Sequence, residues 1–127
     1  MTTPVTAIYT ALGAILVVSL GLRVVWCRRT RRIGLGTGGD PALSVAVRAH
    51  GNAVESLPIA LLLLLLLELN GAYQALLHVF GILMIVSRLA HAEGLLRHGS
   101  GASCGRFYGT LGTWSALTAM ALTLFTL

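Results

Sequence analysis

The sequence contains no lysine: all nine basic residues are arginine, set against only four acidic residues in 127 positions. With 56% of its residues apolar and 10% charged, the chain cannot cover a water-facing surface, which excludes a soluble globular domain. Cysteine is scarce. Cys27 and Cys104 stand alone, with no partners at metal-ligand spacing, so neither a zinc site nor a disulfide framework is expected. Strict apolar/polar alternation is missing too, which rules out a β-barrel. A basic n-region is absent from the N-terminus, so the first apolar stretch reads as a retained span rather than a cleaved signal. No internal repeat is visible.

What is present is long and apolar. Residues 1–22, 71–87 and 107–127 carry no charge, and a fourth apolar region follows Glu55. Each is long enough, with its flanks, to approach the roughly 20 residues that cross a bilayer. The expectation is an all-α, polytopic membrane four-helix bundle: one domain over residues 1–127, with spans near 4–27, 41–69, 72–96 and 105–127. Arg23, Arg28, Arg29, Arg31 and Arg32 flank the first loop, and Arg88, Arg97 and Arg106 flank the third. The second loop has no basic residue, so the positive-inside rule puts loops one and three in the cytoplasm and both termini outside. The net charge of +5 is then an orientation signal, and nucleic acid is not an expected partner.

Local signals refine this outline. A small-residue stripe of Ala7, Ala11 and Ala14 on the first span suits close helix packing. The Arg28–Arg32 cluster suits anionic lipid headgroups. The following Gly34-Leu-Gly-Thr-Gly-Gly-Asp40 trails a membrane helix rather than a strand, so it reads as a loop turn and not a nucleotide site. Asp40 before Pro41 is an N-cap with proline at the first helical position. The helix over 41–69 would be roughly 43 Å long, more than the hydrocarbon core, so it protrudes or tilts. Pro58 is expected to bend it. Loop three, rich in glycine and serine, is expected to be a flexible turn. Gly105 with Gly109, and Gly112 with Ala116, suit helix association on the last span.

The junction Arg48-Ala-His50-Gly-Asn52-Ala-Val-Glu55-Ser-Leu-Pro58 is the most informative stretch. At about 100° per residue, Arg48, Asn52 and Glu55 fall near 0°, 40° and −20°, on one face of a helix that enters the membrane. A charge at the bilayer centre costs about 2.5–3.5 kcal/mol, so ionisable residues there are functional candidates. Arg88 and His91, three apart on the third span, share a face. With Glu93 and Arg106 they join one cluster at the cytoplasmic side. The bland account is an Arg48–Glu55 ion pair with Asn52 as an interhelical bridge. The surplus of arginine over carboxylate suits an anionic ligand instead. His50 points about 160° away from Arg48 and Asn52, toward lipid headgroups or a neighbouring subunit. His78, mid-span, reads as a hydrogen-bonded packing residue, and Glu68 as a solvated end cap.

The pattern Arg48-x-His50-x-Asn52-x-x-Glu55-x-x-Pro58 resembles the signature of the MAPEG family, the membrane-associated proteins in eicosanoid and glutathione metabolism. The glycine loop before Asp40 and Arg88-x-x-His91 resemble its short bacterial members, and the resemblance covers nearly the whole chain. It implies a homotrimer of four-helix protomers in the bacterial cytoplasmic membrane, with glutathione as co-substrate at the subunit interfaces. Arg48, Asn52 and Glu55 match the family's glutathione contacts: a guanidinium for a carboxylate, an amide for the peptide, a carboxylate for the α-ammonium. His50 occupies the position that in relatives reaches the ligand across the interface. Arg88 and His91 join the binding set. Arg106, or else Arg97, matches the arginine held to stabilise the thiolate, since a fixed cation lowers a thiol pKa. Where eicosanoid-making relatives carry tyrosines on the third span, His91 and Leu95 stand here, and Ser56 follows Glu55; eicosanoid synthesis is not implied.

The expected activity is therefore that of a glutathione transferase or peroxidase acting on a lipophilic small molecule drawn from the membrane lipids, with no metal. Two rivals remain: a small four-helix transporter coupled through Glu55, which the surrounding arginines disfavour for a cation, and a non-catalytic membrane scaffold of the same fold.

Overall fold

The structure, a computed structural model, describes residues 2–99 and 101–127. Ser100, in the third loop read above as a flexible turn, lies outside them. Four helices follow one another: α1 (Pro4–Arg31), α2 (Pro41–Leu69), α3 (Gln74–His98) and α4 (Cys104–Leu124). No strand occurs among the described residues. The all-helical expectation is met, with shifts at the ends.

α1 runs four residues past the expected limit, to Arg31. Arginine is a good helix former, and cations in the last turn oppose the negative end of the helix dipole, so the basic cluster extends the helix instead of ending it. The stop is Arg32, in left-handed backbone at φ 55°. Its N–H reaches the Arg29 carbonyl at 3.3 Å, and the Ile33 N–H reaches that of Arg28 at 3.1 Å. This is the paired closure that usually recruits glycine. Asp40 then caps α2 as expected, one carboxylate oxygen accepting from the Leu43 N–H at 2.7 Å while the other pairs with Arg31. The Leu43 N–H first, and Arg31 after it, hold this carboxyl below its ordinary pKa. α2 continues through Pro58 to Leu69. α3 begins at Gln74, two residues late, because Gly71 turns the chain at φ 82° and the Ala72 N–H returns to the Leu67 carbonyl at 3.0 Å.

α2 and α3 form the middle of the bundle, each touching all other helices, while α1 and α4 do not meet among the described residues. α2 buries Leu43, Ala46, Ala49, Ala53, Leu57, Ala60, Leu64 and Leu67, a stripe of leucine and alanine at helical spacing. α4 lies closest to its neighbour. A Cβ on Gly105 would sit 2.7 Å from the Ala90 carbonyl oxygen, and one on Gly109 would be 2.6 Å from both the His91 Cβ and the Ser87 carbonyl oxygen. Absence of side chains at these positions lets α3 and α4 approach backbone to backbone. The α4 glycines thus do serve association, within one chain.

The outside is apolar. Ile8, Leu12, Ile15, Leu22 and Val25 on α1, and Val79, Ile82, Val86 and Leu89 on α3, are exposed stripes that water would not tolerate and acyl chains do. α1, α2 and α3 are each long and apolar enough to cross a membrane. α4, at 21 residues, is about as long as a span requires, but its threonines, serine and glycines make it less apolar.

Two expectations need correction. Ala7, Ala11 and Ala14 are exposed, so they pack no helix of the same chain, and α1 meets its neighbours through Val5, Tyr9, Gly13 and Leu20. Glu68 is no solvated end: its two oxygens accept the Val5 and Thr6 N–H groups at 2.9 and 2.7 Å. It caps α1 from across the bundle, satisfying donors that Thr3 leaves open. His78 does take a packing role, its Nδ1 3.0 Å from the Tyr9 hydroxyl.

Candidate functional site

Three helices meet around the polar face of α2. Arg48 and Glu55, two turns apart, lie along it and pair at 3.0 and 3.4 Å. Both side chains remain open, 59% and 61% exposed. One turn inside that pair, Asn52 faces α3. Arg88 is only 4% exposed and donates to the Asn52 Oδ1, to the Ser56 hydroxyl at 3.3 Å and to the Gly109 carbonyl at 2.9 Å. A single guanidinium therefore ties α2, α3 and α4 together. Both parts of the bland account are real: the ion pair exists, and Asn52 is an interhelical bridge.

The bridge has a chemical consequence. An amide whose oxygen is taken by a guanidinium must turn its Nδ2 the other way, so Asn52 is oriented as a donor. The partners of Arg88 are all neutral, and its Nε finds none among the described residues. Between α2, α3 and α4 lies a hollow of about 350 Å³, walled by Arg48, Asn52, Glu55, Ser56 and Arg88 and closed by Thr110, Thr113 and Trp114 of α4. Two guanidinium groups against one carboxylate leave this hollow with one net positive charge. Burial weakens screening and so strengthens that charge toward an anion.

A second, larger hollow of about 610 Å³ adjoins the first across Thr110 and Trp114, which belong to both walls. His91 and Arg106 line it, with Ser103, Phe107 and Leu111. Arg106 stands in the first turn of α4, where Ser103 caps the Arg106 N–H at 3.2 Å, and its guanidinium donates to the Gly101 carbonyl at 2.7 Å. Arg97 is committed elsewhere, paired with Glu93 at 3.0 Å on the outer surface. Arg106, not Arg97, is thus the arginine beside a cavity.

The residues singled out from the sequence divide three ways. Arg48, Asn52, Glu55 and Arg88 share one hollow, and His91 and Arg106 share its neighbour. His50 belongs to neither; its ring lies against Gly21 of α1, where an added Cβ would stand 3.4 Å from the Nε2. Missed altogether were Thr110, Thr113 and Trp114. They recur at three- and four-residue spacing on the face of α4 that begins with Gly109, a periodicity legible in the sequence but masked by the apolar residues around it.

The MAPEG family model matches residues 6–126. The chain belongs to the MAPEG family. It is also similar to the inner membrane protein YecN of Escherichia coli K12, and equally to YecN of Escherichia coli O6:H1. Each is 39% identical over 118 residues, which cover 93% of this chain and 88% of the relative. With three helices able to cross a membrane, the MAPEG protein is an integral membrane protein.

Proposed function

We propose that this MAPEG protein binds glutathione in the hollow between α2, α3 and α4 and delivers its thiolate to a lipophilic electrophile, or to a lipid hydroperoxide, in the inner membrane. One observation carries the reading: the hollow combines a net positive charge with an amide fixed as a donor and a single exposed carboxylate. Glutathione has complementary groups, two carboxylates, peptide carbonyls and an α-ammonium. Arg48 takes a carboxylate, Asn52 a carbonyl and Glu55 the ammonium. The 350 Å³ available is of the size of small-ligand pockets.

Arg48 and Glu55 must part to do this. Each charge exchanges its partner for a ligand group of the same sign as that partner, so neither is left uncompensated. The neighbouring hollow, with apolar Phe107, Leu111 and Trp114 beside Arg106, suits the lipophilic partner and a fixed cation for the thiolate. An open polar face at membrane depth favours a homotrimer, in which a second copy covers Arg48 and Glu55 and the exposed Ala7, Ala11 and Ala14 stripe supports close packing. His50 would then belong to a neighbour's site. A cation-coupled transporter fits less well, since the positive hollow repels its cargo. The arginines flanking loops one and three support an orientation with those loops in the cytoplasm and the N- and C-termini outside.

Calorimetry on detergent-purified protein tests the proposal. Saturable glutathione binding, lost in Arg48→Ala and Glu55→Gln, is expected. Intact, folded protein that binds none would leave the non-catalytic scaffold as the better account.

A further inference from the structure

The basic end of α1 takes no part in the site above, and its five arginines are not equivalent. Arg31 is neutralised by Asp40, the sole carboxylate of the first loop. Arg28 is held but not neutralised: its guanidinium donates to the Gly36 carbonyl at 2.9 Å and, more loosely, to that of Ile33 at 3.4 Å. Arg29 and Arg32 are exposed, and their guanidinium groups make no hydrogen bond or ion pair among the described residues. Arg28, Arg29 and Arg32 line one hollow of about 440 Å³, floored by Val25 and Ile33. Three cations share a cleft that holds no carboxylate.

Arg32 makes the arrangement more specific. It occupies the left-handed position that ends α1, at φ 55°, where a non-glycine residue costs on the order of 1–2 kcal/mol. Glycine is abundant nearby, at 34, 36, 38 and 39, yet an arginine stands where glycine would fit best. Strain of this kind is a pointer to function. The level in the bilayer agrees. At 28 residues α1 is about 42 Å long against a hydrocarbon core of about 30 Å, so its charged last turn emerges among headgroups. Directly below the cleft, Leu22, Val25 and Trp26 are exposed at 63%, 46% and 64%. Apolar side chains and an indole under a cationic cleft match the acyl, interfacial and phosphate zones of one lipid.

We infer that the cleft formed by Arg28, Arg29 and Arg32 is a binding site for the phosphate of an anionic phospholipid of the surrounding membrane. Arg28, fixed by the loop carbonyls, supplies a preorganised charge; Arg29 and Arg32 close on the phosphate. The acyl chains run down α1 past Val25 and Leu22.

Native mass spectrometry of the detergent-purified full chain, with phosphatidylglycerol and phosphatidylcholine added at equal concentration, tests this. Phosphatidylglycerol should be retained in preference. Each arginine near an anionic lipid is worth about five-fold in affinity, so Arg29→Gln with Arg32→Gly should weaken retention about 25-fold. Arg32→Gly removes the backbone strain, so the variant keeps its fold. Arg23→Gln, which removes one charge outside the cleft, should leave retention as it was. Equal retention of both lipids, or equal loss in Arg23→Gln, would overturn the assignment. So would displacement of the lipid by inorganic phosphate at comparable concentration, which would make this a free-anion site.

Discussion

The two walls of the polar hollow are built on opposite plans. The α3–α4 wall is finished within one chain: glycines bring the backbones together, Arg88 is buried, and its bonds join three helices. The α2 wall is open, its Arg48–Glu55 pair more than half exposed. The two glutamates of α2 repeat the contrast. Glu68 is engaged by the first turn of α1, whereas among the described residues Glu55 has a partner only on its own helix. Polar groups in a membrane protein are thus either internal fasteners or groups held ready for something outside the chain, and burial with cross-helix bonding separates the two.

The contrast predicts its largest effect at Gly109. A methyl group there meets the His91 Cβ and the Ser87 carbonyl at 2.6 Å, and neither can withdraw, since one is backbone and the other is fixed to it. Gly109→Ala should destabilise the protein by about 1–3 kcal/mol, read as a lowered thermal midpoint in detergent. An unchanged midpoint would mean that the finished wall is looser than its geometry.

Next in size is Asn52→Asp. The carboxylate keeps an acceptor for Arg88 and makes that contact charge-assisted, so the fold should hold. The outward donor disappears, and the hollow loses its net positive charge. Glutathione affinity by calorimetry should fall about ten-fold or more, since a hydrogen bond to a charged or polar ligand group is worth about 1.5 kcal/mol. Retained affinity would show that Asn52 is a fastener only.

Glu68 and Glu55 can then be set against each other by one substitution. Glu68→Gln leaves the Val5 and Thr6 donors a weaker cap and should cost about 1 kcal/mol, with faster hydrogen exchange at the start of α1. Glu55→Gln breaks a pair within one helix that ties no helix to another, and should change the midpoint little. Equal costs would erase the distinction.

What the sequence made legible follows the same division. Periodicity placed Arg48, Asn52 and Glu55 on one face, because neighbours on a single helix are set by helix geometry alone. The caps at Asp40 and Ser103 are local as well, though only Asp40 stood out, beside its proline. Contacts between helices were harder. That Asn52 bridges helices was anticipated, but its partner Arg88 was placed only within a cluster at one depth. The reach of Glu68 to residues more than sixty positions away was not anticipated, because nothing in a sequence says which helix ends adjoin. The exposed Ala7, Ala11 and Ala14 stripe misled for a related reason: small residues signal close packing without saying whether the partner is the same chain.

Gly51 offers the finest test of the open wall. It sits on α2 between Arg48 and Glu55, and a Cβ there would find nothing nearer than 4.0 Å, the tips of those two side chains. In a lone chain Gly51→Ala should therefore stabilise by about 0.5–1 kcal/mol, because alanine removes the entropy cost of a helical glycine without a clash. If a second copy covers this face, the same methyl group meets a neighbouring backbone and the sign reverses. Midpoints measured across a range of protein-to-detergent ratios decide the matter. A gain at high dilution that turns to a loss as the protein is concentrated would show the open wall closing against another chain. A gain at every ratio would show that the face of α2 between Arg48 and Glu55 stays uncovered, and that the hollow is already complete in the monomer.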